Sequence, residues 1–281
     1  MRLCLGWHTR EPRYARPRVR RIAAWSLVVA LSLAACTESS PTEPPPEPTA
    51  ATDVEVVEED VVDRATTSSD VAARPVRLVA LGDAYTHGTE TLVPRRDSWP
   101  AQVAESLGRS GYTVRLYNLA EPSVASDDLL ELQLPQVASF QPDVVTLQVG
   151  VNDIIYGDSE WYRENIAAVF DELLTILPSA RILAITTPDH TLTEWGQLRG
   201  SPEAEHEAVV DLNATLRELA RERDIEVIDI GPVNSLVASH PDLVVRDDPP
   251  VIHPYPTAKQ YAGWAELIGP YVHDALSTLQ P

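Results

Sequence analysis

The chain has 281 residues, 44% of them apolar, which is ample for one sizeable core, and only two cysteines, too few for a disulfide framework. Its net charge of −20, from 42 acidic against 22 basic residues, argues against nucleic acid as a partner and disfavours anionic substrates. The same balance also suits a merely soluble, charged surface.

Residues 1–35 stand apart from the rest. Seven arginines lead into an apolar run over 22–35, too short to span a bilayer but suited to a secretory signal. Its end, Leu33-Ala34-Ala35-Cys36, resembles a bacterial lipobox. That resemblance implies export, lipidation of Cys36 and anchoring on the extracytoplasmic face through the lipid alone; the alternative is an ordinary cleaved signal with an incidental cysteine. The basic leader is long, and a translation start near Val19 fits equally well. Loss of residues 1–35 removes seven arginines and one glutamate and leaves a charge of −26. With Cys4 in the leader and Cys36 at the junction, the exported domain has no cysteine for a disulfide, a thiolate metal site or a nucleophile. Residues 36–75, rich in proline, threonine and acid, read as a disordered, self-repelling tether.

The folded domain is expected over 76–281. Apolar runs over 76–81, 113–119, 144–149, 181–187 and 225–230 predict five buried strands alternating with helices. Ser98 before Trp99-Pro100 predicts a cap and first turn of a helix ending near Gly111. Ser126-Asp127-Asp128 predicts a second helix start capped by Ser126. A third helix is expected over 159–177. Val209, Leu212, Leu216 and Leu219 share one face of a fourth, begun at Ser201-Pro202. Thr257 and Gln260 form a capping box for a last helix with Tyr261, Trp264, Ile268 and Tyr271 on one face. Alternating β and α units predict an α/β fold with a parallel sheet covered on both faces. Asn213-Ala214-Thr215 matches a glycosylation acceptor but falls inside a predicted helix and is set aside.

Four short motifs occur in order along this domain. Gly82-Asp83-Ala84-Tyr85-Thr86 follows the first strand; Asn118-Leu119-Ala120-Glu121-Pro122-Ser123 follows the second; Gly150-Val151-Asn152-Asp153 follows the third; and Asp247-Asp248-Pro249-Pro250-Val251-Ile252-His253-Pro254 precedes the last helix. Together they resemble the motifs of GDSL esterases, also called SGNH hydrolases. The resemblance implies a three-layer α/β/α sandwich with a flavodoxin-like five-stranded sheet, ester hydrolysis without a cofactor, and a site at the carboxyl ends of the strands. It makes Ala84 the nucleophile position, His253 the base, Asn152 an oxyanion donor, and the backbone N–H groups of Ala84 and Ser123 its companions. Asp83, Thr86, Gly150 and Asp153 complete the cleft.

Three positions depart from that pattern. Ala84 stands for the serine, Ser123 for a glycine, and Pro250 for the aspartate three before the histidine, leaving Asp248, or more weakly Asp247, to orient His253. A serine hydroxyl needs a base to take its proton, the base needs a carboxylate to orient it, and donors must face the developing oxyanion. A methyl group cannot attack a carbonyl. Thr86 and Ser123 are candidate substitute nucleophiles, and His87 with Asp83, or Asp189-His190, a candidate metal pair that the rim of a parallel sheet supplies without any metal role.

Two readings follow. The first is a binding or regulatory module for a small ester or acylated glycan, monomeric, with no metal, cofactor or nucleic acid. The second is an active carboxylester or acetylester hydrolase using His253 with an unconventional nucleophile or an activated water. Residues 89–97 and 191–200 are expected to wall the cleft, with Trp195 either an aromatic platform or a packing residue.

Overall fold

The computed structural model describes residues 74–156, 159–198, 200–246 and 252–279; the leader, Cys36 and the tether lie outside the described residues. Contacts divide the chain after Asp70, and everything described belongs to the unit Val71–Pro281. Arg74, just ahead of the first strand, already belongs to the fold: both terminal nitrogens of its guanidinium donate to the Asp143 carboxylate.

Five strands, β1 (Val76–Gly82), β2 (Val114–Asn118), β3 (Val144–Gln148), β4 (Arg181–Ile185) and β5 (Glu226–Ile228), form one parallel sheet in the order β2-β1-β3-β4-β5. This is the flavodoxin-like order, with a switch point between β1 and β3 where open α/β sheets place their ligands. The strands read as unbroken apolar runs because both faces are buried. Val79, Leu81, Val145, Leu147, Ile182 and Ala184 point into one core, while Leu78, Val144, Leu183 and Ile185 point into the other.

Seven helices matter here. They are α1 (Ala84–His87), α2 (Trp99–Arg109), α3, α4 (Val151–Tyr156), α5 (Ser159–Ile176), α6 (Pro202–Arg221) and α7 (Ala258–Ser277). In α3, Ser126–Asp128 and Leu134–Phe140 are joined by a π-wound stretch, Leu129–Gln133. On one face of the sheet, Leu129 and Val137 of α3, Ile166, Phe170 and Leu173 of α5, and Leu212, Leu216 and Leu219 of α6 close the first core. On the other, Trp99, Val103 and Leu107 of α2 pack with Tyr261, Trp264, Ile268 and Val272 of α7. The expected α/β/α sandwich is present. Among the described residues no helix is long and apolar enough to cross a membrane.

The structure corrects several local expectations. Ala125, not Ser126, occupies the cap of α3, because the Ser126 hydroxyl is taken by Asp153. Ser98 caps α2 in conformation, but its hydroxyl makes no cap bond. Only half of the last capping box forms: the Thr257 hydroxyl accepts from Gln260 N, while the Gln260 amide donates to Val233 O. Tyr271 is 37% exposed, and Val272 takes the buried place in α7. Asn152 and Asp153 lie in the first turn of α4. An antiparallel pair, β6 (Val244–Arg246) and β7 (Ile252–Pro256), was not expected at all; it carries His253.

Candidate active site

The site is organised by the turn leaving β1. Gly82 has φ +150°, and a Cβ there would lie 2.1 Å from the Gln148 carbonyl oxygen, so only glycine lets the ends of β1 and β3 run this close. The Gln133 side chain completes its backbone pairing: Gly82 N donates to Gln133 Oε1 at 2.9 Å and Gln133 Nε2 donates to Gly82 O at 2.8 Å. The π-wound stretch that ends at Gln133 delivers that amide to the sheet.

Asp83 then caps α1, its carboxylate accepting from Tyr85 N at 2.9 Å. Burial pushes the Asp83 carboxyl up to about 7, with the Asp153 charge adding to it, against the opposing bonds from Tyr85 N and Gly150 N. Ala84 opens the helix, only 4% exposed. Thr86 is fully buried, its hydroxyl donating to Gln148 Oε1 at 3.2 Å, which removes it as a substitute nucleophile. Gly88, with φ +85°, ends the helix after one turn.

The second motif is pinned to this turn. Asn118 Nδ2 donates to Thr86 O at 2.9 Å, and Asn118 Oδ1 accepts from Ala120 N. Ser123, where the resemblance places a glycine, adopts φ +65°. The left-handed conformation a glycine would take is therefore kept despite the side chain, at a cost of about 1 kcal/mol.

The third motif turns the same way. Gly150 has φ +149°, and a Cβ would meet Thr187 Oγ1 at 2.3 Å. Asn152 Nδ2 donates to Val124 O at 2.8 Å, which uses one of its two N–H bonds and fixes the residue after Ser123 beside α4. Asp153 is buried and accepts from both the backbone N and the hydroxyl of Ser126. Burial pushes its carboxyl up to about 6, the Ser126 bonds opposing.

The fourth motif comes in from β7. Tyr85 OH donates to Pro254 O at 3.2 Å, and its ring meets Tyr255 edge-on at 5.7 Å, so the strand carrying His253 lies against α1. Tyr255 is pushed up to about 12 by burial and by the charges of Asp83 and Glu90. Asp247, Asp248 and Pro250 lie outside the described residues. The structure thus brings Ala84, Ser123, Asn152 and the strand of His253 to one end of the sheet.

Asp189 and His190 are each engaged by a residue of α6. Asp189 Oδ2 pairs with His206 Nδ1 at 2.6 Å, and the buried His190 places Nε2 2.7 Å from Glu205. Trp195 meets the His190 ring edge-on at 5.9 Å. His87 faces Thr89 Oγ1 at 3.1 Å, and burial lowers its pKa.

Sequence reasoning missed Gln133, Gln148 and Tyr255. Gln148 had a signal: a lone amide at the end of an apolar strand, where Trp99 Nε1 and the Thr86 hydroxyl both donate to it.

Comparisons with known proteins agree with this fold. Solved structures that the chain resembles include a lipase/acylhydrolase from Enterococcus faecalis (20% identity, 71% of this chain and 96% of that one, TM-score 0.55). They also include the acetyl xylan esterase AlAXEase (19%, 70% and 100%, 0.56) and a lipolytic protein of the G-D-S-L family from Veillonella parvula (18%, 69% and 96%, 0.54). At those identities the likeness concerns the fold. No curated protein matches the chain in sequence. The model of the GDSL-like Lipase/Acylhydrolase family matches residues 80–261, which take in the first three motifs, His253 and the start of α7, and the chain belongs to that family.

Proposed function

We propose that this protein is an exported, lipid-anchored member of the family that binds a small ester or acylated glycan and has lost serine-type hydrolysis. The observation that carries the reading is Ala84: it holds the buried first position of α1, where the family's nucleophile belongs, with no hydroxyl of its own. The neighbouring hydroxyl, Thr86, is spent on Gln148. What remains is a set of backbone donors, Asn152 and His253, which suit the recognition of a carbonyl oxygen. The acetyl xylan esterase among the structural neighbours supports an acylated glycan as the ligand class.

The test restores the nucleophile. Ala84→Ser adds one oxygen at a site shaped for it and should create hydrolysis of a small activated ester at least about 10²-fold above the parent; removal of a triad nucleophile leaves only the residual rate from binding and the oxyanion hole. Ala84→Ser combined with His253→Ala should lose that gain. A parent as active as Ala84→Ser, and still active after His253→Ala, would place the chemistry elsewhere and defeat the proposal. For the anchor, Cys36→Ala should release the protein from the membrane fraction, and equal release of both forms would refute lipidation.

A further inference from the structure

A cleft of about 250 Å³ opens at the carboxyl ends of β4 and β5, two and three strands along the sheet from the elbow, the turn leaving β1. Ala84, Asn152 and His253 do not line it. Its walls come from the segment after β4, from α6 and from the segment after β5.

The chemistry of the walls is specific. Asp189 is paired with His206 at 2.6 Å, and Arg217 with Asp229 at 2.9 Å. Asp229 Oδ1 also accepts from the Thr186 hydroxyl at 3.3 Å and from Gly231 N at 2.9 Å, which fixes the carboxylate beside the cleft. An anion placed here would face two carboxylates, and a cation would face a guanidinium. A neutral molecule with several hydroxyl groups meets neither penalty, since each O–H donates to a carboxylate while its oxygen accepts from Arg217 or His206. Leu192 and Val210 supply an apolar strip for a C–H face. The volume is below the roughly 300–1,000 Å³ of sites for drug-sized ligands, which leaves room for a single ring.

We propose that this cleft is a second ligand site, taking one neutral sugar ring. The test is ligand-observed NMR on the full chain with D-xylose, D-glucose and N-acetyl-D-glucosamine as probes. At least one should bind saturably in the millimolar range, and binding should weaken about tenfold or more in Arg217→Ala and in Val210→Trp. Val210 is 52% exposed on α6, so a tryptophan there fills the mouth without entering the core. An unchanged melting temperature in both variants establishes that they remain folded. Binding should persist in His253→Ala. No saturable binding by any of the three sugars, undiminished binding in Val210→Trp, loss in His253→Ala, or tighter binding of acetate or ammonium than of the sugars would each overturn the proposal. Loss confined to His253→Ala would place the sugar at the elbow instead.

Discussion

The amino end of β3 and the turns that leave β1 and β3 at the opposite end of the sheet treat their carboxylates in opposite ways. At the amino end, Asp143 enters β3 with Arg74 Nη1 at 3.0 Å and Arg77 N at 2.8 Å. Burial pushes the Asp143 carboxyl up, but those hydrogen bonds and the two arginine charges outweigh it and hold the group below the usual carboxylate range. At the carboxyl end, Asp83 and Asp153 are both buried and both raised, and among the described residues neither is paired with an arginine or lysine. One end is built for stability. The other carries charge that the fold would hold more easily as neutral acid, the arrangement expected of a functional site.

The strongest way to break this contrast is at the backbone of the elbow. Gly82→Ala would drive a Cβ to 2.1 Å from Gln148 O and force β1 and β3 apart, at a cost of at least about 3 kcal/mol. Gly111→Ala, a glycine with φ +95° and no atom within 4 Å of the added carbon, should cost only about 1 kcal/mol. Urea denaturation of the two variants checks the difference, and equal losses would show that the strand ends relax freely.

A subtler test uses pH. Asp83 has a folded value of about 7 against 3.8 for the free group, so the folded state holds that proton more tightly. Its contribution to stability is full below about pH 4 and is lost as pH rises through 7. Asp83→Asn keeps an acceptor for Tyr85 N without the charge, and should be about 1–3 kcal/mol more stable than the parent at pH 8 and no more stable at pH 4. Asp143 has the opposite sign. Its lowered value gives stability that is present above the free-group value and lost as pH falls through the folded one. Asp143→Ala should therefore cost about 1–2 kcal/mol near neutrality, with the difference shrinking in acid. Slopes of the same sign in both variants would contradict the contrast between the two ends.

The smallest effect sharpens the oxyanion side. Ser123→Gly relieves a left-handed residue that is not glycine, offset by the greater freedom of glycine in the unfolded chain, and should stabilise by about 0.5 kcal/mol. In the Ala84→Ser background it should also raise esterase activity, if side-chain bulk is what obstructs the donor. A loss of stability would mean that the serine side chain holds the loop.

What the sequence determined by itself was whatever repeats locally. The five strands were legible because each is a short run buried on both faces, and α5 and α6 because their apolar residues recur at helical spacing. Ala84, Ser123, Asn152 and His253 were located by the resemblance of the four motifs to those of the family; what a sharp turn after a strand itself demands is the glycine, Gly82 after β1 and Gly150 after β3. The tertiary structure alone decided what those residues touch. Gln133 bonds Gly82 across 51 positions, Tyr85 bonds Pro254 across 169, and the Ser126 hydroxyl leaves its expected helix cap for Asp153, 27 positions on. A buried polar atom takes whichever partner the packing brings within about 3 Å, and no periodicity along the chain encodes that choice. The hairpin of β6 and β7 was invisible for the same reason: two strands of three and five residues, with two prolines, carry too weak a pattern to read until β7 lies against α1.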